Sequence, residues 1–267
     1  MPAERTLHVS ESNVDVIVFP DAAAAVRSAA ERIARIVAES VAARGKAVLG
    51  LATGATPEKV YDDLAARVRA GTLSFRDVTT YNLDEYYPIQ PVDPRSYRSY
   101  MQRFLFDRVD LAPNRAHVLD GTVPEAATAA HAAEFDRWID ADGGLDLQLL
   151  GIGRNGHIGF NEPSELAVEA FASQPTRVVG LHPITKTDAI REFGSLEAVI
   201  PRALTMGVRQ ILAARTILML ATGPHKAPIV ARALKGPLTA NVPASLLRTV
   251  ADKVVWLVDE PAAAELG

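Results

Sequence analysis

Two short runs, Leu147 to Ile152 and Ile217 to Ala221, are apolar almost throughout and do not alternate with polar residues. Strands of this kind are buried on both faces, as happens when helices cover both sides of a mostly parallel sheet. The surrounding chain supports that architecture. Val14 to Phe19 is a β-branched run, and Asp21 stands where a cap would open a long alanine-rich helix reaching about Arg44. Ala47 to Ala52 is a further apolar strand, followed by Thr53-Gly54-Ala55-Thr56 and a helix whose first turn suits Pro57. Val78 to Leu83, His117 to Leu119, Leu145 to Ile152, Thr216 to Thr222 and Val254 to Val258 complete the strand candidates, mostly separated by helical patterns. The expected fold is therefore α/β: a doubly wound, Rossmann-like, mostly parallel sheet with helices on both faces. No Ser/Gly/Pro-rich linker or internal repeat divides the chain, so residues 1–13 are expected as an N-terminal extension and 14–267 as one domain.

Composition narrows the function classes. The 267 residues are 48% hydrophobic and 22% charged, enough apolar material for a large core. A net charge of −4 argues against a surface that tracks nucleic-acid phosphates. The absence of cysteine excludes disulfides, thiolate nucleophiles and cysteine-ligated metals, and nothing points to an oxidising compartment. The first residues lack the apolar run of a signal peptide, and no stretch reaches the roughly 18 apolar residues of a membrane span. A cytoplasmic protein with a small-molecule partner, and with neither nucleic acid nor membrane, is expected.

In a doubly wound sheet, ligands bind beyond the carboxyl ends of the strands, so the loops after Ala52, Leu83, Ile152 and Thr222 should share one crevice. The first, Thr53-Gly54-Ala55-Thr56, offers hydroxyls and backbone N–H groups at a helix N-terminus, where an anion is favoured; an ordinary capped turn would look the same. The second, Asn82-Leu83-Asp84-Glu85-Tyr86, places adjacent carboxylates beyond a buried strand, where either could serve as a base or simply end the strand in solvent. The third runs Gly151-Ile152-Gly153-Arg154-Asn155-Gly156-His157-Ile158-Gly159-Phe160-Asn161-Glu162-Pro163. Its glycines allow close backbone approach to a ligand, His157 is a candidate proton shuttle, and Glu162 is a carboxylate to orient it. Zinc ligation is not expected, because there is neither an HExxH pattern nor a second histidine at ligand spacing. The fourth, Thr222-Gly223-Pro224-His225-Lys226, again opens a helix after a strand and adds a cation suited to phosphate. Arg191, in the polar helix candidate Thr185 to Phe193, could add a bidentate phosphate contact.

Together these stretches resemble the glucosamine-6-phosphate deaminase (isomerase) family from about Val14 to Leu266. The resemblance is carried by Leu49 to Pro57, Asn82 to Tyr86, Leu149 to Pro163, Ala203 to Gly207 and Val258-Asp259-Glu260, in the family's order. It implies that Asp84 moves a proton between C2 and C1 of the opened sugar, that His157 assists ring opening, and that Glu162 orients and tunes His157. Asn155 takes an orienting role. The substrate phosphate would rest on Thr53, Gly54, Ala55 and Thr56 with Lys226 and Arg191. The implied chemistry converts an amino-sugar phosphate to a ketose phosphate and ammonia with no cofactor or metal.

The chain departs from the family between Glu162 and Phe193. Ser164 to Pro175 is longer and richer in alanine than the family's segment. Arg177 fits the arginine that binds an activator phosphate in responsive relatives, but Val179 and Gly180 replace the lysine and threonine that complete that site. A monomer or small homo-oligomer with hyperbolic kinetics is expected, as the chain also ends soon after Glu260. Three rivals stand beside this expectation: 6-phosphogluconolactonase, a deaminase/isomerase of another amino-sugar phosphate, and a non-catalytic sugar-phosphate sensor. The lactonase would favour Asp-Glu-Arg where this chain has Asp84-Glu85-Tyr86. A DNA-binding sensor would need more than the 13 or so residues before the first expected strand.

Overall fold

The computed structural model describes residues 4–267. The chain runs β1 (Arg5–Val9), β2 (Val14–Phe19), α1 (Ala22–Arg44), β3 (Ala47–Leu51), α2 (Ala55–Arg69), β4 (Val78–Asn82) and β5 (Asp84–Tyr86). It continues through α3 (Tyr97–Phe104), β6 (Ala116–His117), α4 (Thr128–Ala141), β7 (Leu147–Leu150), α5 (Val168–Ala172), β8 (Arg177–Gly180) and α6 (Pro183–Phe193). The last elements are β9 (Arg202–Thr205), α7 (Val208–Ala213), β10 (Thr216–Ala221), α8 (Ala227–Lys235), β11 (Val254–Asp259) and α9 (Glu260–Ala263). No helix among the described residues is long and apolar enough to cross a membrane.

The main sheet has eight strands in the order β1-β2-β11-β10-β7-β3-β4-β6. Its pairings are parallel except β1 with β2, which gives the mostly parallel α/β sheet expected from the buried apolar runs. Asp21 caps α1, accepting from the Ala24 backbone N–H at 2.7 Å. The helix then buries Ala25, Ala29, Ala30, Ile33 and Val37, small and branched residues at helical spacing that let it lie close to the sheet. β3 and β7 sit side by side in the middle of the sheet, and every residue of both is buried. From β3 the chain moves outward to β4 and β6, whereas β10 and β11 follow β7 on its other side. That reversal opens the crevice beyond the carboxyl ends of β3, β7 and β10.

Three features differ from the sequence expectation. Residues 5–9, expected to precede the first strand, form β1 and pair antiparallel with β2. The strand expected at His117 to Leu119 is only Ala116–His117, too short for any periodicity to show. Where a loop was expected at Asn82 to Tyr86, Asp84–Tyr86 form β5, the edge of a second sheet ordered β5-β9-β8. Asp84 pairs with Thr205, and Thr205 with Arg177, so this small sheet joins segments far apart in the chain. Its core, Tyr86, Ile89, Phe160, Leu181, Ala189, Phe193, Val199 and Ala203, forms an apolar cluster separate from the main one.

Candidate active site

The loops after β3, β7 and β10, the strand β5 and one face of α6 enclose a cavity of about 310 Å³. Thr53, Gly54, Ala55, Thr56, Asp84, His157 and Lys226 all line it. At Gly54 the backbone adopts φ +114°, a conformation that favours glycine, and turns the chain into α2 with its first N–H groups at the cavity. Tyr100 holds that turn by donating its hydroxyl to the Gly54 carbonyl at 2.7 Å. Lys226 is half-buried and donates from Nζ to the Ile152 carbonyl at 2.7 Å. Burial lowers its pKa, so an anion in the cavity would meet a poorly hydrated, strongly attracting cation.

β5 separates the fates of its two neighbouring carboxylates, because successive side chains along a strand point to opposite faces. Glu85 turns away from the cavity and caps α3, accepting from Ser96 Oγ at 2.7 Å and from the Tyr97 and Arg98 backbone N–H groups at 2.8 and 2.9 Å. Asp84 faces the cavity with only 5% of its surface exposed. Among the described residues no hydrogen-bond donor reaches its carboxylate. Burial raises its pKa well above the ordinary value, and the nearby charges of Glu85 and Glu192 push it further in the same direction. Gly159, at φ +58°, lets the third loop pass beside it; a Cβ there would stand 3.5 Å from Asp84 Oδ2.

His157 lies on the same loop. Its Nδ1 is 3.3 Å from Glu162 Oε2 and 3.2 Å from Thr185 Oγ1 on α6. Asn155 sits behind it, donating Nδ2–H to Glu162 Oε2 at 2.8 Å and accepting from the His157 backbone N–H at 3.2 Å. Burial alone would raise the Glu162 pKa, but the contacts with His157, Thr185 and Asn155 outweigh it and hold the group below the usual range. An ionised Glu162 facing Nδ1 fixes that nitrogen as the protonated one and leaves Nε2 as the acceptor. The ring lies directly over Gly153, where any Cβ would come within 2.3 Å of it.

Arg191 is not brought to the cavity. Thr185, Asp188, Ala189 and Glu192 line it, the i, i+3, i+4, i+7 face of one helix, and Arg191 lies off that face, exposed. Arg154, for which the sequence offers no role, lines the cavity and makes a two-pronged ion pair with Asp188, at 3.0 Å from Nε and 2.6 Å from a terminal nitrogen. Tyr86, Tyr97 and Glu192 are further wall residues that sequence reasoning does not find. The one sequence signal for Arg154 is its place inside the glycine-dense loop; the two tyrosines and Glu192 carry none.

The family model described as glucosamine-6-phosphate isomerases/6-phosphogluconolactonase matches residues 20–256. The chain belongs to that family. A glucosamine-6-phosphate deaminase of Rhodopirellula baltica is 43% identical over 95% of this chain and 96% of its own length. That of Bacillus velezensis is 45% identical over 87% of this chain and 93% of its own. Among solved structures of the family, a monomeric glucosamine-6-phosphate deaminase superposes with a TM-score of 0.86 at 37% identity, covering 94% of this chain and 99% of that one. A 6-phosphogluconolactonase of Trypanosoma brucei shares the fold alone, with a TM-score of 0.75 at 19% identity over 94% of this chain and 97% of that one.

Proposed function

We propose that this chain is a glucosamine-6-phosphate deaminase, converting glucosamine 6-phosphate and water to fructose 6-phosphate and ammonia. The observation that carries this reading is one cavity lined by an unpaired carboxylate, Asp84, a carboxylate-oriented imidazole, His157, the Thr53 to Thr56 turn and Lys226. In this scheme His157 Nε2 takes the proton of the anomeric hydroxyl and returns one to the ring oxygen, opening the sugar. Asp84 then removes the C2 proton and delivers it to C1. The substrate nitrogen helps to delocalise the charge that develops at C2, and binding holds the carboxylate against that carbon. The resulting C2 imine adds water and expels ammonia, leaving the ketose phosphate.

Glu162 keeps the His157 ring in its working tautomer, and Asn155 keeps Glu162 in place. The phosphate rests on Thr53, Gly54, Ala55 and Thr56 with Lys226, the amides and the helix dipole favouring the anion. Arg191 joins it only when α6 moves over bound substrate, since in the present arrangement its helix face points elsewhere. No step needs a metal or organic cofactor. Residues 14–267, with β1 added at the edge of their sheet, act as one catalytic domain in a monomer or small homo-oligomer, and a phosphorylated substrate supports a cytoplasmic enzyme.

Purified protein incubated with glucosamine 6-phosphate, galactosamine 6-phosphate and 6-phosphogluconolactone, with ammonia and ketose phosphate followed together, tests this function. Stoichiometric ammonia and fructose 6-phosphate from the first sugar are expected. Acid release from the lactone without ammonia from either sugar would overturn the assignment.

A further inference from the structure

Glu192 projects from the cavity-facing side of α6, near the helix's carboxyl end, where the macrodipole disfavours negative charge. Its hydrogen-bond contact is a long one, from the Tyr86 hydroxyl at 3.4 Å, and that hydroxyl lies 3.4 Å from the hydroxyl of Tyr97. Among the described residues no basic side chain forms an ion pair with it; the adjacent Arg191 offsets its charge only partly. The Phe160 and Phe193 rings pack against the same tyrosines, making this part of the wall poor in polar partners.

Charge in the cavity is thus segregated. Lys226, Arg154 and His225 act on one another together with Asp188, whereas Asp84 senses Glu192 and Glu85. Two carboxylates, Asp84 and Glu192, therefore line one cavity, and among the described residues neither is in an ion pair. A ligand with an anion at one position and a cation at another would complement such a surface.

We propose that Glu192, steadied by the Tyr86 hydroxyl, is a specificity-determining residue that receives the substrate's ammonium group. This rests on the deaminase reading: a base that takes hydrogen from C2 has the C2 nitrogen one bond away, beside the carboxylate pair. The site then selects a protonated 2-amino sugar phosphate over its 2-hydroxy counterpart by charge, and over its N-acetylated form by losing that charge.

The test uses two open-chain ligands that lack a carbonyl and so bind without reacting, 2-amino-2-deoxyglucitol 6-phosphate and glucitol 6-phosphate. Calorimetry should show the parent preferring the amine by about tenfold or more, the range of a charged hydrogen bond. In Glu192→Gln the preference should fall to within about twofold while glucitol 6-phosphate binds as before, because only a charge has been removed. A parent without preference, a variant that keeps it, or equal weakening of both ligands would overturn the proposal. Ammonia release by the parent is measured alongside. A parent that prefers the amine through Glu192 yet releases no ammonia would remove the deaminase reading and leave the ammonium site standing.

Discussion

Asp84 and Glu85 are neighbours of the same chemical type, and the strand that holds them sends one to the cavity and the other to the cap of α3. The consequence for Asp84 can be measured. Its pKa is raised by burial and by neighbouring negative charge, so the ionised form is disfavoured in the folded state. For an acid raised in this way, the destabilisation appears as pH rises from the unfolded value, near 3.8, through the folded one, and is complete above it. Asp84→Asn should therefore stabilise the protein at neutral pH, by about 1.4 kcal/mol for each tenfold by which folding tightens the carboxyl's hold on its proton. The substitution should do little at pH values where the parent is protonated in both states. Turnover should fall roughly 10²- to 10⁴-fold with substrate still bound, as expected for loss of a general base. Melting curves at acid and neutral pH, with kcat measured on the same samples, check both halves; undiminished turnover would remove Asp84 from the base role. Gly153 gives a second residue-scale test. A Cβ there would collide with the His157 ring at 2.3 Å, so Gly153→Ala should displace the imidazole and lower kcat by about tenfold or more. Kinetics matching the parent would show that the ring has no need of that position.

At the scale of elements, α6 decides which side chains close the cavity. Its helical pattern is legible from Thr185 to Phe193, close to the observed Pro183–Phe193. Its facing is not, because a polar helix with several charged residues has no unique inward stripe. Packing puts Thr185, Asp188 and Glu192 on the cavity and leaves Arg191 outside. The two cations assigned to phosphate should accordingly behave differently. Lys226→Ala removes a charge-assisted contact worth about 1.5–3 kcal/mol, and should weaken both inorganic phosphate and substrate by about 10- to 100-fold. Arg191→Ala should leave the affinity of the resting enzyme for inorganic phosphate unchanged and raise only the KM for substrate. Phosphate titration and initial rates on both variants separate these outcomes. Equal loss of phosphate affinity in the two would mean that Arg191 already faces the anion without movement of α6.

The whole molecule adds the second sheet, in which Asp84, Thr205 and Arg177 stand in register across β5, β9 and β8. There one terminal nitrogen of the Arg177 guanidinium donates to internal acceptors, Asn161 Oδ1 at 2.9 Å and the Pro175 carbonyl at 3.2 Å. Val179 and Gly180 beside it on β8 add neither a second cation nor a hydroxyl for a second phosphate, and a ligand that binds both states equally shifts neither. N-acetylglucosamine 6-phosphate should therefore leave a hyperbolic rate curve unchanged, with light scattering giving a monomer or small oligomer. Activation by that sugar or a hexameric mass would sink this prediction without touching the catalytic residues. The sequence alone determined the parallel sheet, the helices that flank it and the loops that line the cavity, because burial on both faces and helix capping are written in contiguous residues. It also carried the family's motifs, and so the candidates Asp84, His157 and Glu162. The tertiary structure alone decided that Asp84 sits on a strand of a second sheet, that Glu85 is a cap, that Arg191 lies outside the cavity and that Arg154 and Glu192 lie within it. Each of those depends on pairing or packing between segments distant in the chain, and such contacts leave no local periodicity to read.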